Sequence, residues 1–425
     1  MEMNFVTLTE NEYKQFYDEY ECPCFWQSPS MSHYKEKKGW VTHYVGVKDD
    51  HNQLIAASTL VSIPVFLKYS LFMALRGFLI DYDNLELVDF FLCQLKKYLH
   101  ENHCLYFKTD PYVVYQNHEK DGSICEESNK KDDLLQLFAK HGMRHLGFRN
   151  GDDNNFEPRW MSVLDLKGKT EAQILKEMDA QTRQNVKNTL KTGIKVVELE
   201  PSEYSILHEI VSATGERRNF LNPDLNYYLE FKEVFQDRMK VLYAYLDTED
   251  YCHRFQEELR KLEEELVHID SLIAESDTPK NAKKRQNCIQ RMEAANKRVG
   301  EAIALKDEYG DKISLGAAMF ISTPYEVVYL FSGSYNQFNR FKGAYAIQWK
   351  MIQYGIERNI NRYNFYGISG IFNDTAEDYG VYLFKKGFNA DVEELVGDFE
   401  YIDRKGIYKL YNTLRTIKGK LLSKE

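Results

Sequence analysis

The chain has 425 residues, 43% of them hydrophobic, and its formal net charge is −10. This length exceeds what one core usually supports, so we expect two or three folding units, and the ordinary hydrophobic content excludes wholesale disorder. The negative charge excludes a surface that is basic throughout, so any nucleic-acid partner must meet a local basic patch.

The cysteines and the N-terminus indicate a cytoplasmic protein. Seven cysteines are scattered along the chain, which fits a reducing compartment better than a disulfide framework. The first residues lack the basic start and apolar core of a signal peptide, and no stretch approaches the ~20 uninterrupted apolar residues of a membrane span. Cys22 and Cys24 are too close for the usual zinc-ligand spacing, so we predict no metal site.

Residues 1–150 are expected to form a first α/β or α+β domain. A capping box that begins at Thr9 predicts the first helix, and Ser30 is a candidate cap for a short helix that carries Lys35. Strands are predicted at VTHYVGVKD, LIAASTLVSIPVF, LFMALRGFLIDY and CLYFKTDPYVV. Helices are predicted at 88–99 and 134–141. Repeated strands with a helix between them are typical of these two fold classes.

Residues 151–246 and 311–395 are expected to form a second domain of the same kind. FEPRWMSVLDL predicts a strand, and the stretch from Glu171 to Gly193 predicts one helix that leads into another strand. After position 311 the element order of the first half recurs, with strands SLGAAMFIS and EVVYLFSGS and helix AYAIQWKMIQYGIERN. Such a recurrence favours a duplication.

Residues 247–310 predict a helical arm. In the first half, apolar residues recur at alternating intervals of four and three, the signature of a packed helical seam. These are Phe255, Leu259, Leu262, Leu266, Ile269 and Ile273, and a weaker second seam is Ile289, Met292, Val299 and Ile303. Two helices of about 24 residues would form an antiparallel hairpin of about 36 Å. The first helix is acidic and the second basic, so the charges either pair with each other and with solvent or contact a nucleic-acid backbone.

The stretch Tyr363–Phe388 combines strand-like apolar runs with glycines and lysines. It predicts a strand, a turn through Gly367 and Gly370, a polar segment and a second apolar run. We interpret the end of that run as a strand end, on which Lys385 and Lys386 would face opposite ways. This unit would place backbone groups and one lysine at the edge of a cleft.

Common phosphate-transfer and hydrolase signatures are absent from the sequence, with one informative near miss. There is no Walker loop, dinucleotide fingerprint or nucleophile elbow. Residues 340–345, RFKGAY, precede a predicted helix and resemble the loop that holds pyrophosphate in acetyl-coenzyme A transferases. Tyr345 stands where that loop has a glycine or alanine, so its side chain would crowd the phosphate. This pattern indicates an acyltransferase relative that no longer depends on coenzyme A.

Motifs along nearly the whole chain resemble those of the Fem family of non-ribosomal peptidyltransferases. In order they are FWQSPSMSHYKEKKGW, LRGFLIDYDN, YFKTDPY, FEPRWMSVLDL, QTRQNVKNTLKTGIKV, YLFSGSYN, NFYGISGIF and YGVYLFKKGF. Their order, together with the helical arm, carries the resemblance. The family uses aminoacyl-tRNA to add amino acids to the peptide stem of peptidoglycan precursors.

The resemblance implies a fold of two tandem acetyltransferase-like domains with an inserted antiparallel coiled-coil arm. The first domain would be residues 1–150, with 396–425 packed on it, and the second 151–246 with 311–395. The arm, 247–310, resembles the tRNA-binding arm of seryl-tRNA synthetase. The basic residues of the arm that this implies as tRNA contacts are Lys283, Lys284, Arg285 and Arg291.

The resemblance also implies the reaction and its partners. A stem-peptide amine would attack the ester of an aminoacyl-tRNA carrying Gly, Ala or Ser, and so build the interpeptide bridge of the cell wall. Aminoacyl-tRNA would be a co-substrate, with no bound cofactor, and the acceptor would be a lipid-linked or UDP-linked muropeptide. A second copy or a paralogue is a further candidate partner. The alternatives are a coenzyme A-dependent N-acyltransferase and a non-catalytic coiled-coil interaction protein.

Two residues match family positions that carry chemistry. Lys385 matches a lysine implicated in catalysis, where a cation would stabilise the oxyanion; the structural alternative is a solvated lysine at a strand end. Asp110 precedes Pro111 as in the family's Asp-Pro and would serve as general base, or more simply order a turn.

Further positions are implied in substrate binding. Lys35 would contact the diphosphate or stem of the precursor, and its alternative is a surface lysine in a basic cluster. Arg76 and Gly77 match the family's Pro-Arg-Gly-Pro turn, although Leu75 and Phe78 replace both prolines. The remaining candidates are Arg183 and Lys187, four apart on one helix face, and Tyr329, Ser334, Tyr366 and Gly367 in the cleft.

The C-terminal segment predicts a basic amphipathic helix. Leu410, Leu414, Ile417 and Leu421 fall on one face, and lysines and an arginine surround them. The helix either docks on the body of the protein or associates with an anionic membrane surface.

Overall fold

The computed structural model describes residues 2–128, 130–151, 157–218 and 220–422, with side chains up to residue 417. Within these ranges the strands, in chain order, are β1 (Asn4–Thr7), β2 (Val41–Lys48), β3 (Leu54–Phe66), β4 (Tyr69–Ala74), β5 (Cys104–Thr109), β6 (Val114–His118), β7 (Arg144–His145), β8 (Trp160–Asp165), β9 (Lys195–Glu198), β10 (Met239–Asp247), β11 (Lys312–Ser322), β12 (Glu326–Ser334), β13 (Arg362–Ile368), β14 (Asp391–Leu395) and β15 (Phe399–Ile402). The α-helices are α1 (Glu10–Glu19), α2 (Pro29–Lys37), α3 (Leu85–Glu101), α4 (Asp132–Lys140), α5 (Glu171–Glu177), α6 (Ala180–Thr192), α7 (Tyr204–Arg218), α8 (Leu225–Phe235), α9 (Thr248–Glu275), α10 (Pro279–Tyr309), α11 (Gly343–Glu357), α12 (Tyr379–Gly387) and α13 (Lys405–Leu422). In the described ranges, none of these helices is both long and apolar enough to cross a membrane.

Two sheets organise the molecule. One has seven strands in the order β1-β2-β3-β4-β5-β15-β7, and the other has eight in the order β6-β14-β8-β13-β12-β11-β10-β9. The mixed α/β class is therefore confirmed. Each sheet contains one strand from the other half of the sequence. β6 forms an edge of the second sheet, and β15 lies between β5 and β7 of the first. The domain boundaries drawn above stay a prediction.

Two predicted elements are each divided in the structure. CLYFKTDPYVV, predicted as one strand, is β5 in the first sheet and β6 in the second. Pro111 lies at the break, because proline lacks the N–H that a continuous strand would need. The predicted single helix from Glu171 to Gly193 is α5 and α6, since Asp179 accepts the Thr182 N–H at 2.6 Å and starts a new helix.

Local capping explains where the first helices begin. The predicted capping box is present, with Thr9 Oγ1 accepting the Glu12 N–H at 3.3 Å and the Glu12 carboxylate accepting the Thr9 N–H at 2.9 Å. These hydrogen bonds to Thr9 lower the pKa of Glu12 to about 2. The cap of α2 is Ser28, not the predicted Ser30, and Pro29 occupies the first turn of that helix.

The arm is a helical hairpin in which α9 and α10, 28 and 31 residues long, exceed the predicted 24. Its seam joins Leu262 and Ile269 of α9 to small residues of α10, Cys288 and Ala295. On α10 the buried seam therefore consists of Cys288 and Ala295, which are seven residues apart. Ile303, which was predicted to belong to this seam, is half exposed. At the base, Arg340 pairs with Glu301 at 2.7 Å, and aromatic rings from the arm pack on the loop before α11.

A buried polar network holds β12, β13 and β14 together. The Arg362 guanidinium contacts Glu393 at 2.6 and 2.7 Å and Glu326 at 3.2 Å. Tyr112, which comes from the segment between β5 and β6, donates to Glu326 at 2.9 Å. Asn364 donates to both Tyr112 and Glu326. Because the Glu326 side chain is fully buried, its ionised carboxylate is stable only while these partners compensate its charge.

We predict that Arg362→Met destabilises the protein by about 3–5 kcal/mol, because it leaves the Glu326 carboxylate buried without its cation. Thermal unfolding of the purified variant measures the loss. The double variant Arg362→Met/Glu326→Gln should recover part of it, since the uncompensated charge is then gone. Equal midpoints for wild type and Arg362→Met would show that the network contributes nothing.

Candidate active site

The candidate site lies where two parallel strands separate. β12 and β13 pair from Glu326–Arg362 to Val328–Asn364, and although both strands are described in full, no later pair joins them. On its other side β13 carries an irregularity against β8 between Asn364 and Gly367, and there Tyr366 has a φ of +66°. The Asn364 side chain accepts the Tyr366 N–H at 2.7 Å and holds this turn of the backbone. The separation leaves carbonyl groups of β13 open to side chains.

Lys385 reaches these carbonyl groups. Its ammonium donates to the carbonyl of Gly367 at 2.6 Å and to that of Tyr366 at 3.3 Å. The residue lies on α12 and only 4% of it is exposed, so the predicted strand end and its alternative, a solvated lysine, are both wrong. Helical spacing places Tyr382 and Lys385 on one buried face, whereas Lys386 lies over the Tyr382 ring at 5.6 Å.

The electrostatics of Lys385 are set by burial. Desolvation lowers its pKa to about 7, and the nearby Asp378 carboxylate opposes that shift. Asp378 is itself held in place, because its Oδ2 accepts the Ser369 N–H at 2.8 Å. Burial thus brings the pKa of this amine into the neutral range, which is typical of groups at functional sites.

Asp110 and Arg76 form a buried pair at the ends of β5 and β4 in the first sheet. Asp110 Oδ1 accepts the Arg76 N–H at 2.8 Å, and the guanidinium lies 3.5 Å from Oδ2. Burial raises the pKa of Asp110 to about 7, against the opposing effect of Arg76. Arg76 has a φ of +51°, and the Asp110 carboxylate orders this turn by accepting the Arg76 N–H. Next to it, a Cβ added at Gly77 would lie 2.9 Å from the Gln27 side chain.

Pro158 connects this pair to the Lys385 carbonyls. Arg76 Nη2 donates to the Pro158 carbonyl at 2.6 Å. A Cβ added at Gly367 would lie 2.5 Å from the Pro158 ring, so only glycine permits this contact. Asp110, Arg76, Gly367 and Lys385 therefore form one continuous cluster across the two sheets.

Tyr366 and Trp26 connect the cluster to Lys35. The Trp26 indole donates to the Tyr366 hydroxyl at 3.2 Å, and that hydroxyl donates to the Glu157 carboxylate. The Lys35 ammonium lies 5.8 and 5.5 Å from the ring centroids of Trp26 and Trp40. Burial lowers the pKa of Lys35. A small hollow beside it is lined by Trp26, Met31, Thr59, Met73 and Leu75.

Lys35 differs from its basic neighbours. Lys37 pairs with Glu233 at 2.5 Å and Lys38 pairs with Glu230, so both are occupied at the surface. Lys35 instead points into the aromatic hollow, and the alternative of an ordinary surface lysine is wrong for it.

The other candidates lie apart from this cluster. Arg183 donates to the Lys176 carbonyl at 2.9 Å, and Lys187 is exposed on the same helix, α6. Tyr329 stacks on Phe320 at 5.4 Å within the core. Ser334 is tied to α7, because its N–H donates to Thr214 at 3.1 Å and its carbonyl accepts from Arg217.

The basic residues of the arm divide into two sets. Arg285 pairs with Asp270 at 2.7 Å and Arg291 with Glu265 at 3.1 Å, so these two join the helices of the hairpin. Lys283 and Lys284 are exposed.

The space that a pyrophosphate would approach is filled by aromatic rings. Tyr345, at the start of α11, lies 4.9 Å from Phe384 and 5.7 Å from Phe388 between ring centroids. These rings close the groove between α11 and α12.

Four site residues, Trp26, Glu157, Pro158 and Asp378, were not predicted. Trp26 lies inside the quoted motif FWQSPS, and Glu157 and Pro158 lie inside FEPRW, which was the available signal. The contact of Trp26 with Tyr366 spans 340 positions, a separation at which periodicity carries no information.

Comparisons with known proteins agree over the whole chain. Residues 8–416 match the model of the FemAB family. Aminoacyltransferase FemA of Staphylococcus aureus strain N315 is 36% identical over 420 residues, covering 99% of this chain and all of the relative, and the FemA of strain bovine RF122 / ET3-1 gives the same figures. The crystal structure of FemX has the same fold, with a TM-score of 0.80, 24% identity and coverage of 96% of this chain and 99% of that one.

The depressed pKa of Lys385 predicts a pH-dependent stability. Its value in the folded protein is about 7, while an unfolded lysine titrates near 10.4, so between these values the unfolded chain binds the extra proton. Stability must then rise with pH, by up to about 1.4 kcal/mol per pH unit. On going from pH 7 to 9, the thermal midpoint of wild type should rise relative to that of Lys385→Met.

Lys386→Met is the matched control, because this neighbouring lysine stays partly exposed. Its midpoint should follow that of wild type at both pH values. If Lys385→Met also follows wild type, the lysine is not titrating in this window.

Proposed function

The chain belongs to the FemAB family, and on that premise we propose that it transfers an amino acid from aminoacyl-tRNA to the stem-peptide amine of a peptidoglycan precursor. It is an aminoacyltransferase of interpeptide-bridge synthesis, as its FemA relatives indicate. The proposal adds the tRNA dependence, a donor amino acid of Gly, Ala or Ser, and an acceptor that is lipid-linked or UDP-linked. The reaction takes place in the cytoplasm and needs no bound cofactor.

The reaction sets three physical requirements. The neutral amine nitrogen attacks the ester carbonyl carbon, the new C–N bond forms, and the C–O bond to the tRNA ribose breaks. The amine loses a proton and the ribose oxygen gains one. The site must therefore orient two large substrates, stabilise the oxyanion of the tetrahedral intermediate, and accept and return a proton.

Lys385 is the group we assign to the oxyanion. The observation that carries the proposal is its buried ammonium, held by the Tyr366 and Gly367 carbonyls where β12 and β13 separate. A cation in this low-dielectric position stabilises developing negative charge far better than one in water. The same burial costs folding free energy, which argues against a relic in a non-catalytic interaction protein.

Asp110 is the candidate proton acceptor. Its pKa near 7 suits a base that works at neutral pH. Oδ1 is engaged by the Arg76 N–H, while Oδ2 accepts no hydrogen bond from the described residues. Oδ2 is therefore the oxygen that would take the amine proton, and Arg76 would hold the carboxylate in position.

The precursor is assigned to the surface around Lys35, since the hollow itself is smaller than a diphosphate. There a lysine flanked by two indole rings combines positive charge with apolar side chains, the two kinds of group that a diphosphate attached to a peptide or sugar would contact. Trp26 and Tyr366 extend this hollow towards Lys385. Arg76 and Gly77 follow Leu75, which lines the hollow, and are proposed as further contacts of the precursor. Arg183, Lys187, Tyr329 and Ser334 remain proposed contacts for more distant parts of the substrates.

The arm is assigned to the tRNA. Arg285 and Arg291 are used in cross-hairpin pairs, so Lys283 and Lys284 are the better candidates for phosphate contacts. Exposed lysines bind phosphate as flexible point charges, which suits recognition of a backbone.

The aromatic rings of Tyr345, Phe384 and Phe388 argue against a coenzyme A-dependent acyltransferase. They occupy the groove between α11 and α12 beside the loop that would hold the pyrophosphate. No observation favours that activity.

We predict that Lys385→Ala lowers kcat by about 10²-fold or more, the effect of removing one oxyanion-stabilising group. Wild-type kcat/KM should also decline above pH 7, as the Lys385 ammonium deprotonates. A transfer assay with charged tRNA and muropeptide measures both. Lys386→Ala is the control and should keep near wild-type activity. Full transfer by a folded Lys385→Ala variant would refute the assigned role.

We also predict that Lys283→Glu/Lys284→Glu raises KM for aminoacyl-tRNA and leaves KM for the precursor unchanged. Each lost phosphate contact also reduces the salt dependence of tRNA binding. Filter binding of charged tRNA over a range of salt concentrations measures this. The control variant, Lys37→Glu/Lys38→Glu, changes the same charge on the body. Unaltered tRNA affinity in the arm variant would exclude this part of the arm as a contact.

A further inference from the structure

The last helix of the chain has an unusual charge. Between Lys405 and Leu422 the sequence contains three further lysines and one arginine and no acidic residue, although the whole chain has a net charge of −10. Opposite charges are thus separated on this molecule, with a local cationic helix on an anionic body.

One face of α13 is fixed to the first sheet by aromatic rings. Tyr408 and Tyr411 pack on Tyr106 of β5, with centroid distances of 5.2 and 6.3 Å. Tyr411 also lies 5.9 Å from Phe66, next to the turn between β3 and β4. The helix is therefore anchored, and its opposite face is set by this docking.

The outward face carries an apolar stripe. Leu410, Leu414 and Ile417 follow the helical spacing of four and three, and they are 51%, 46% and 50% exposed. Leu421 would continue the stripe but lies outside the described side chains. Leu67, at the turn beside Tyr411, is 81% exposed with a φ of +53°. Leu410, Leu414 and Ile417 thus form an exposed apolar stripe along one anchored helix.

We propose that this surface, the α13 surface, docks on an anionic lipid membrane. It comprises the apolar residues Leu410, Leu414 and Ile417 and the basic residues Lys405 and Lys409. On a helical projection, Lys405 and Lys409 fall on one side of the apolar stripe, whereas Arg415 falls on the docked face with Tyr408 and Tyr411. The exposed part of the helix therefore joins an apolar stripe to a basic edge, as in a helix that lies in the plane of an interface. The stripe enters the acyl boundary, and the cations remain with the lipid phosphates.

Charge complementarity favours an anionic membrane over a second copy of the chain as the partner of the α13 surface. A second copy of the chain would bring one cationic helix against another, which is unfavourable. An anionic membrane attracts the α13 surface and repels the rest of the acidic molecule, so it also fixes the orientation of docking. This inference stands apart from the proposed catalytic function, because binding to lipid requires neither substrate.

Flotation with vesicles tests the proposal on the full-length protein. The probes are vesicles of phosphatidylcholine alone and vesicles of equal parts phosphatidylcholine and phosphatidylglycerol. We expect wild type to bind the anionic vesicles at least about tenfold more tightly, and this preference should weaken as salt screens the charges. Binding to neither kind of vesicle would overturn the proposal.

Two variants separate the apolar and ionic contributions. Leu410→Glu/Leu414→Glu should abolish vesicle binding, and Lys405→Gln/Lys409→Gln should reduce the preference for anionic lipid. The matched control is Ile303→Glu on the arm, where an isolated isoleucine has the same 51% exposure as Leu410; it should bind as wild type does. Circular dichroism and thermal midpoints establish that each variant is folded.

Sedimentation velocity tests whether the α13 surface is instead an interface between two copies of the chain. If wild type is a dimer that Leu410→Glu/Leu414→Glu converts to a monomer, the α13 surface is an interface between copies and the membrane proposal fails. Vesicle binding that survives in the Leu410→Glu/Leu414→Glu variant also refutes it.

Discussion

The separation of β12 from β13 is the constraint on which the site depends. The two strands are joined at one end by the Arg362 network, and beyond Asn364 they part. Carbonyl groups that a continuous sheet would have used for its ladder then need another donor. Lys385 is that donor, and its burial beside two carbonyls follows from the missing ladder. The interruption of the sheet between β12 and β13 therefore explains the position of the candidate catalytic cation, Lys385.

The two sheets meet at this point because each contains a strand from the other half of the chain. β5 and β6 are separated only by the segment that holds Asp110 and Tyr112, so one short connection places a residue beside Arg76 and another in the Arg362 network. Pro158 completes the link between the sheets through Arg76 and Gly367. A site shared in this way is rigid only if both sheets hold their relative position, which the exchanged strands support.

The three remaining surfaces that we propose for binding differ in their chemistry. The Lys35 hollow is enclosed and aromatic, the arm exposes lysines far from the body, and the α13 surface combines cations with an apolar stripe. The molecule has a net charge of −10, so these positively charged regions differ in sign from the electrostatic potential of the whole protein. A local cationic surface of this kind attracts a polyanion without extending that attraction to the rest of the molecule.

The sequence by itself determined the features that depend on near neighbours. The cap at Thr9, the heptad seam of α9 and the family motifs are all local patterns, and the alternation of predicted strands and helices gave the α/β class. Tertiary structure decided the rest. It divided CLYFKTDPYVV between two sheets and placed Lys385 on a helix, because a short apolar run fits either helix or strand until its neighbours are known. It alone joined Trp26 to Tyr366 and Arg76 to Pro158, since such contacts arise from the packing of distant segments.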